Sequence, residues 1–259
     1  MNIIMMSFIA GAVGMGLGAL LTAIFGCRSD RMISVFLSFA GGVMISIVFL
    51  ELIPEAVELS NVGLAIAGLV IGAVMVYILN YLMDKFSKES GSKFHETFAD
   101  FFHSGGMISK NKNMLRSGVI MLFAIGLHNI PEGLAMGAAG HYDPALGLAL
   151  AIVIGLHCIP EGMAVSAPLI AGGFSRIKSV IITFLAGTTT IIGAIAGVLI
   201  GGISDSAVAV SFSIAGGAML YVVIGEILPQ SIVTSKDRIP TIFALAGIVV
   251  GMLFIVLVH

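Results

Sequence analysis

The 259-residue sequence predicts an all-α polytopic membrane protein with eight membrane-spanning helices. Hydrophobic residues make up 58% of the chain and charged residues only 10%, with a mean hydropathy of +1.13. Soluble domains carry about 25% charged residues, so this composition excludes a soluble globule. Apolar stretches of about 20 residues, the length needed to cross a bilayer, also recur along the whole chain. The positions of the basic residues, described below, support the number of helices.

Short loops separate the predicted helices, except for one long loop at residues 84–114. The helices are predicted at residues 2–25, 32–57, 62–83, 115–139, 145–171, 177–201, 206–232 and 239–258. A cleaved signal peptide begins with a short basic segment, and no such segment precedes the first helix. The first helix is therefore interpreted as a membrane span. The whole chain, residues 1–259, is therefore predicted to form a single transmembrane domain.

All twelve basic residues fall in odd-numbered loops or at the helix ends beside them. They are Arg28, Arg31, Lys85, Lys88, Lys93, Lys110, Lys112, Arg116, Arg176, Lys178, Lys236 and Arg238. The even-numbered loops hold Glu58, Asp143 and Asp205 and no lysine or arginine. The positive-inside rule therefore places the odd loops in the cytoplasm and both termini on the extracytoplasmic side of the cell's cytoplasmic (inner) membrane.

Isolated polar residues in the loops carry weaker signals. The long cytoplasmic loop contains His95 and His103, for which a solvated linker and a metal-sensing role both stay open. The two cysteines, Cys27 in the first loop and Cys158 within a span, are expected at different depths. A disulfide between them is therefore not expected.

Two nearly identical hexapeptides lie in the fourth and fifth predicted helices: HNIPEG at residues 128–133 and HCIPEG at residues 157–162. Each places a histidine four residues before a glutamate, so both side chains lie on one helix face. The pairs are His128 with Glu132 and His157 with Glu161. Two imidazoles and two carboxylates are a complete ligand set for a divalent ion of the zinc or iron type. This pair of helices is therefore predicted to bind metal.

A second repeat links the second and seventh helices at a constant offset of 175 residues. The triplet AGG at residues 40–42 recurs at residues 215–217, and Glu51 recurs as Glu226. The charge distribution predicts that these two helices cross the membrane in opposite directions. The repeat is therefore inverted, which is typical of secondary transporters. The sequence therefore predicts a 3+2+3 arrangement, with helices 1–3 and 6–8 as inverted repeats around the metal-binding pair, helices 4 and 5.

Five acidic residues lie within predicted spans: Glu51, Glu55, Glu132, Glu161 and Glu226. Each costs about 2.5–3.5 kcal/mol at a helix centre, so each is expected to face a bundle interior or a wet cavity. No basic residue lies inside a span to pair with them, which leaves a bound cation or a proton as the expected partner. Glu51, Glu55 and Glu226 are candidates for the ion pathway, with protonated helix-packing carboxyls as the alternative.

The hexapeptides offer further ligands for a second ion. The proline before each glutamate has no N–H, so it frees a backbone carbonyl one residue before the histidine. Asn129 and Cys158 follow the histidines and lie about 100° further round each helix. Both could contact a second ion that Glu132 and Glu161 share. For Cys158, packing as a small residue is an equally open interpretation.

These residues resemble the ZIP (Zrt/Irt-like) family of divalent-metal transporters, especially its bacterial broad-range branch. The H-N-x-P-E-G and H-x-x-P-E-G motifs carry the resemblance, which extends over all eight helices. It implies import of Zn²⁺, and of related ions such as Fe²⁺, Mn²⁺, Co²⁺ or Cd²⁺, toward the cytosol. It also implies a binuclear site near the membrane centre, an elevator-like movement and, for many members, a homodimer. The implied partners are metal ions and the bilayer, with no catalytic cofactor and no nucleic acid.

The resemblance also implies two sets of ligands. The main site takes His128, Glu132, His157 and Glu161, and the adjacent site takes Asn129, Glu132, Cys158 and Glu161. Cys158 is a departure, because relatives usually carry Asn or Asp there. Many relatives complete the second site with a glutamate on helix 6, where this chain has Thr190. We therefore expect one strong site and one weak or regulatory site.

Two other functions are compatible with acids inside spans. An intramembrane zinc-dependent hydrolase also places histidines and acids in helices, but the His-Glu-x-x-His pattern of zinc hydrolases is absent. A proton- or sodium-coupled carrier of an organic solute needs no histidine pair. The inverted repeat favours a carrier over an enzyme.

Overall fold

The computed structural model describes residues 2–26, 29–89, 112–142, 144–200 and 204–258. These residues contain eight helices that are long and apolar enough to cross a membrane, which confirms the predicted fold class. The spans are α1 Ile3–Phe25, α2 Asp30–Glu58, α3 Val62–Leu82, α4 Met114–His141, α5 Gly147–Ala171, α6 Arg176–Leu199, α7 Asp205–Ser235 and α8 Ile239–Val256. Their ends lie within a few residues of the predicted ones. His95, His103 and Cys27 lie outside the described residues.

Several helix ends follow directly from local sequence. Ser29, Ser175 and Ser204 precede α2, α6 and α7, and each side chain accepts a hydrogen bond from the backbone N–H three residues later. This contact satisfies one of the N–H groups that have no partner in the first helical turn. At the other end of α7, Lys236 adopts a left-handed conformation with φ 59°, which stops the helix before α8.

Four helices depart from regular α geometry. Wider π-helical turns occur in α1 at Ile9–Val13 and Thr22–Gly26, in α2 at Val48–Leu52 and in α7 at Val223–Ile227. A break at Thr188 divides α6 into Arg176–Gly187 and Thr189–Ile200. By contrast, α4 and α5 belong to α-helices that run from Lys112 to Tyr142 and from Pro144 to Ala171, through their internal prolines.

The eight helices pack as two groups of four. The first bundle comprises α1, α4, α5 and α6, in which α4 packs on α5 and α6, and α1 packs on α5 and α6. The second bundle comprises α2, α3, α7 and α8, in which α2 packs on α8 and α3 packs on α7. The largest contacts between the bundles join α2 to α5 and α4 to α7. The central pair of helices, α4 and α5, thus faces both the rest of its own bundle and the second bundle.

Glycines bring the backbones of the second bundle into direct contact. A Cβ on Gly42 in α2 would collide with the carbonyl oxygen of Ala244 in α8, and one on Gly217 in α7 would collide with that of Leu69 in α3. The two contacts are related by the offset of 175 residues, from 42 to 217 and from 69 to 244. This recurrence supports the inverted repeat, although the 3+2+3 arrangement as a whole stays a prediction.

Candidate metal centre

The four histidines and glutamates of the hexapeptides meet between α4 and α5. The i, i+4 spacing places His128 and Glu132 on one face of α4, and His157 and Glu161 on the facing side of α5. All four side chains are buried, with at most 1% of the surface of each residue exposed. The structure therefore brings together in one cluster the four residues that the sequence singled out first.

Each histidine pairs with the glutamate of the other helix. Nε2 of His128 lies 2.7 Å from Oε1 of Glu161, and Nε2 of His157 lies 2.9 Å from Oε1 of Glu132. The distances within each helix are longer, at 3.5 Å for His128 to Glu132 and 3.9 Å for His157 to Glu161. The four side chains thus form a closed ring of crossed pairs, in which each imidazole faces both carboxylates.

The ring still has unused acceptors. The second carboxylate oxygens, Oε2 of Glu132 and Oε2 of Glu161, are buried and accept no hydrogen bond from the described residues. A buried polar atom without a partner is costly, so such atoms usually mark a bound ion, a water molecule or a catalytic role. On the side of the second bundle, the backbone of Ala215 in α7 lies beside the His128 imidazole. This contact places the cluster at the boundary between the two bundles.

Cys158 belongs to the same cluster. Donor atoms of Glu132, His157, Cys158 and Glu161 all lie within 4.8 Å of one another, a spacing that suits one metal ion. The first bundle also packs tightly against this cysteine, because a Cβ on Gly14 in α1 would lie 2.8 Å from the Cys158 Cβ. Cys158 is fully buried, so both of its predicted roles, ligand and packing residue, agree with its position.

Asn129 makes a contact that the sequence did not indicate. Its Nδ2 donates to the thioether Sδ of Met15 in α1 at 3.2 Å, while its Oδ1 has no hydrogen-bond partner among the described residues. Both residues are fully buried. Met15 looks like apolar filler in the sequence, because nothing around it is polar. The one available signal is the offset of 175 residues, which relates Met15 to Thr190.

Thr190 joins helices of the first bundle. It is fully buried, and its hydroxyl lies 3.0 Å from the carbonyl oxygen of Ser7 in α1 and 2.8 Å from that of Gly187. The preceding Thr189 donates at 2.6 Å to the carbonyl of Gly126 in α4. The Thr190 proton is therefore directed at backbone carbonyls, and the residue offers no negative charge to an ion.

The remaining pathway candidates lie in the second bundle. The structure does not place Glu51, Glu55 or Glu226 in the metal-type cluster found among the described residues. Glu51 is buried, with 8% of its surface exposed. Glu226 accepts a hydrogen bond from Nδ2 of Asn80 in α3 at 3.2 Å.

One prediction about the acids is wrong. Arg116, in the first turns of α4, lies close enough to act electrostatically on Glu226. The expectation that no basic residue lies inside a span therefore fails, because Arg116 lies within the span Met114–His141. The structure places Arg116 at the helix end, where a long side chain can reach toward a neighbouring helix.

Comparisons with known proteins identify the family of this chain. The family model described as ZIP zinc transporter matches residues 103–259. A zinc transporter ZupT of Chlorobium chlorochromatii is 33% identical over 92% of this chain and 89% of its own length. Similar proteins of the same name occur in Akkermansia muciniphila, at 33% identity over 94% and 91%, and in Streptococcus mutans, at 30% over 92% and 89%. The chain therefore belongs to the ZIP family, as its motifs predicted, and is a multi-pass membrane protein.

Proposed function

We propose that this protein transports zinc and related divalent cations across a membrane, with His128, Glu132, His157 and Glu161 as the principal binding site. The ring of crossed imidazole–carboxylate pairs carries this proposal, because it places four metal-type ligands in one buried cluster. Membership of a family whose relatives are named zinc transporters supports the substrate. The same comparison favours a carrier over the intramembrane hydrolase.

The charges of the site match those of a divalent ion. Two ionised carboxylates compensate the two positive charges of the metal, and two neutral imidazoles complete a four-ligand set. The atoms that pair with one another in the ring, Nε2 of the histidines and Oε1 of the glutamates, are those that would bind the ion. Loading therefore replaces polar contacts within the protein by metal–ligand bonds and releases any proton that the ligands carry.

The ligand types allow several substrates. Imidazole and carboxylate suit zinc, iron, manganese and cobalt, and geometry rather than the general affinity order selects among them. We include Fe²⁺, Mn²⁺, Co²⁺ and Cd²⁺ in the proposal on this chemical ground. Asn129 and Cys158, with the shared glutamates, form the proposed adjacent position, which holds its ion more weakly because Thr190 contributes no carboxylate.

The two-bundle packing supports an elevator-type movement. All four principal ligands come from the first bundle, so the bundle can carry them together. Close backbone contacts inside each bundle, such as Gly133 in α4 against the Thr190 carbonyl in α6, favour rigid-body motion. The contacts of α2 with α5 and of α4 with α7 form the surface along which the first bundle slides.

The proposed direction of transport rests on the family resemblance, and the proposed orientation of the helices rests on the distribution of basic residues. We propose import toward the cytosol across the cytoplasmic membrane, with odd loops inside and both termini outside. A homodimer, implied by the family resemblance, is part of the proposal. Single cysteines in the α2–α3 loop at Asn61 and in the α5–α6 loop at Gly173, tested with a membrane-impermeant thiol reagent on intact cells, check the orientation. Labelling of the Gly173 position alone would reverse it.

Uptake of a panel of divalent ions into proteoliposomes tests the function. We expect Zn²⁺ uptake by the parent protein and its loss in His128→Ala and His157→Ala. His141→Ala is the matched control, because His141 lies on the same helix as His128 but is exposed. A parent protein without divalent-ion uptake, or His128→Ala and His157→Ala proteins that transport as well as His141→Ala, would overturn the proposal.

A further inference from the structure

Met15 occupies a position between the two metal-motif helices. Its side chain reaches Asn129 of α4, while its backbone lies against α5, because a Cβ on Gly162 would collide with the Met15 carbonyl oxygen. Gly14, the residue before it, packs on Cys158. Met15 therefore lies between Asn129, which follows His128, and Gly162, which follows Glu161.

The repeat places Met15 opposite Thr190. Gly133 of α4 packs on the Thr190 carbonyl in the way that Gly162 of α5 packs on the Met15 carbonyl. The same relation holds one turn further on, where Gly193 packs on Ile130 and Gly18 packs on Ile159. The two positions thus flank the two hexapeptides equivalently, one from α6 and one from α1.

The two flanking side chains offer different chemistry. The Thr190 hydroxyl directs its proton at the carbonyls of Ser7 and Gly187. The Met15 sulfur instead lies 3.2 Å from Nδ2 of Asn129, at the edge of the polar cluster. Two buried oxygens of this region, Oδ1 of Asn129 and Oε2 of Glu161, lack hydrogen-bond partners among the described residues. The Asn129 amide thus lies beside the Met15 sulfur, and Asn129 shares the proposed adjacent position with Cys158 and Glu161.

We propose that Met15 is a specificity-determining residue, whose thioether joins Cys158 and Asn129 in a sulfur-containing position for a soft divalent cation. This inference rests on the proposed transport function and names its preferred substrates. Soft sulfur ligands favour Cd²⁺, and Zn²⁺ next, over Mn²⁺. The Cys158 thiol loses its proton when the ion binds, and the thioether coordinates without losing one.

Selenium labelling tests this contact directly. The protein is produced with selenomethionine and loaded with enough Cd²⁺ to fill both positions, and cadmium K-edge absorption reports whether a selenium atom neighbours the ion. We expect one selenium neighbour in the parent protein, its loss in Met15→Leu and its retention in Met252→Leu. Met252 is the control, since it is exposed on α8 of the second bundle and therefore lies away from the buried cluster. Leucine keeps the volume of the side chain and removes only the sulfur.

Transport provides the second measurement. The ratio of Cd²⁺ to Mn²⁺ uptake is expected to fall about tenfold in Met15→Leu, the lower end of the losses seen when groups around a metal are removed, and to stay unchanged in Met252→Leu. A parent protein without a selenium neighbour of cadmium overturns the inference even if zinc uptake is normal. A parent protein without divalent-ion uptake overturns the proposed function instead, so the two failures are distinguishable.

Discussion

The buried acids of the two bundles have different neighbouring side chains. In the first bundle, Glu132 and Glu161 are fully buried and each pairs with a histidine from the opposite helix. In the second bundle, Glu226 is only partly buried and accepts from Asn80, with Arg116 near by. An imidazole nitrogen can exchange a carboxylate partner for a metal ion, whereas the amide Nδ2 of Asn80 and a guanidinium are donors only and cannot bind a cation. The neighbours of a glutamate, rather than its presence in a span, therefore distinguish a binding site from a pathway or packing role.

Helix geometry differs between the bundles as well. In the first bundle, the hexapeptide prolines Pro131 and Pro160 lie within continuous α-helices. In the second bundle, Pro54 and Pro229 each follow a π-helical turn, and that turn contains Glu51 or Glu226. A π turn widens the helix and is frequent at functional sites. The motif helices thus keep a fixed ligand spacing, while the second bundle has local irregularity at its acids.

Substitution of single carboxylates tests this difference most strongly. Glu161→Gln and Glu132→Gln are expected to lower Zn²⁺ uptake by about a hundredfold or more, because each removes a charge and an anionic ligand from the ring. Glu226→Gln is expected to lower uptake by less than about tenfold, because its amide can still pair with Asn80. Initial rates in proteoliposomes, normalised to inserted protein, give the comparison.

Glu58→Gln is the control for these variants, since Glu58 is exposed at the end of α2. Equal losses in Glu161→Gln and Glu226→Gln would remove the functional distinction between the bundles. Normal uptake by both Glu132→Gln and Glu161→Gln would remove the ring as the binding site.

Crosslinking tests the boundary between the bundles. The Ser117 hydroxyl of α4 donates to Oε1 of Gln230 in α7 at 3.1 Å, which joins the first bundle to the second. In a Cys27→Ser background, Ser117→Cys/Gln230→Cys treated with a short bifunctional thiol reagent is expected to lose uptake when crosslinked. The reason is that the crosslink would prevent the two bundles from moving past each other.

A pair within the second bundle serves as the matched control. Arg31 at the start of α2 lies 3.7 Å from Asp237 in the α7–α8 loop, measured from Nε to Oδ2. Arg31→Cys/Asp237→Cys treated with the same reagent is expected to keep its uptake. Recovery of activity on reduction shows that the crosslink causes the loss. Undiminished uptake with the Ser117–Gln230 pair fully crosslinked would contradict the elevator movement.

Acid on the side from which the ion enters is expected to reduce uptake. The ring binds metal with neutral imidazoles and ionised carboxylates, so protons compete with the ion. We expect uptake to fall severalfold between pH about 7.5 and about 5.5, around the reference histidine pKa of about 6.5. The pH is changed on one side at a time with the membrane potential clamped. The Glu226→Gln protein should show the same profile, and a flat profile in the parent would place the competing protons outside the ring.

Much of the fold could be predicted because bilayer physics acts on single segments. An apolar stretch of sufficient length forms a spanning helix whatever its neighbours are, and the basic loops alternate with the spans. The His128–Glu132 and His157–Glu161 faces followed in the same way from the i, i+4 spacing. Whether these residues bind metal stays a prediction until uptake is measured.

Contacts between helices were harder to predict. The sequence around Met15 is uniformly apolar, so its contact with Asn129 depends on how α1 docks against α4. Arg116 was assigned to a loop end, and only the α4–α7 packing brings it near Glu226. The π turn at Val48–Leu52 also has no signal in the composition of its segment.

The smallest expected effect concerns Asp237, which lies in the α7–α8 loop of the second bundle. The Ser235 hydroxyl and the Ile239 backbone N–H both donate to Asp237, and together with Arg31 they hold the pKa of Asp237 below its usual range. A carboxyl with a lowered pKa contributes stability above its unfolded pKa of about 3.9, and this contribution is lost as the pH falls through the folded value. Asp237→Asn should therefore lower the Tm in detergent at pH 7 by only about 1–2 °C, as expected for an exposed ion pair, and leave Zn²⁺ uptake unchanged. The Tm difference from the parent should shrink in acid below pH about 4, whereas Glu58→Gln, at the exposed end of α2, provides the reference for a surface charge change. A Tm difference that is the same at pH 7 and in strong acid would show that the Asp237 contacts stabilise the loop without its charge.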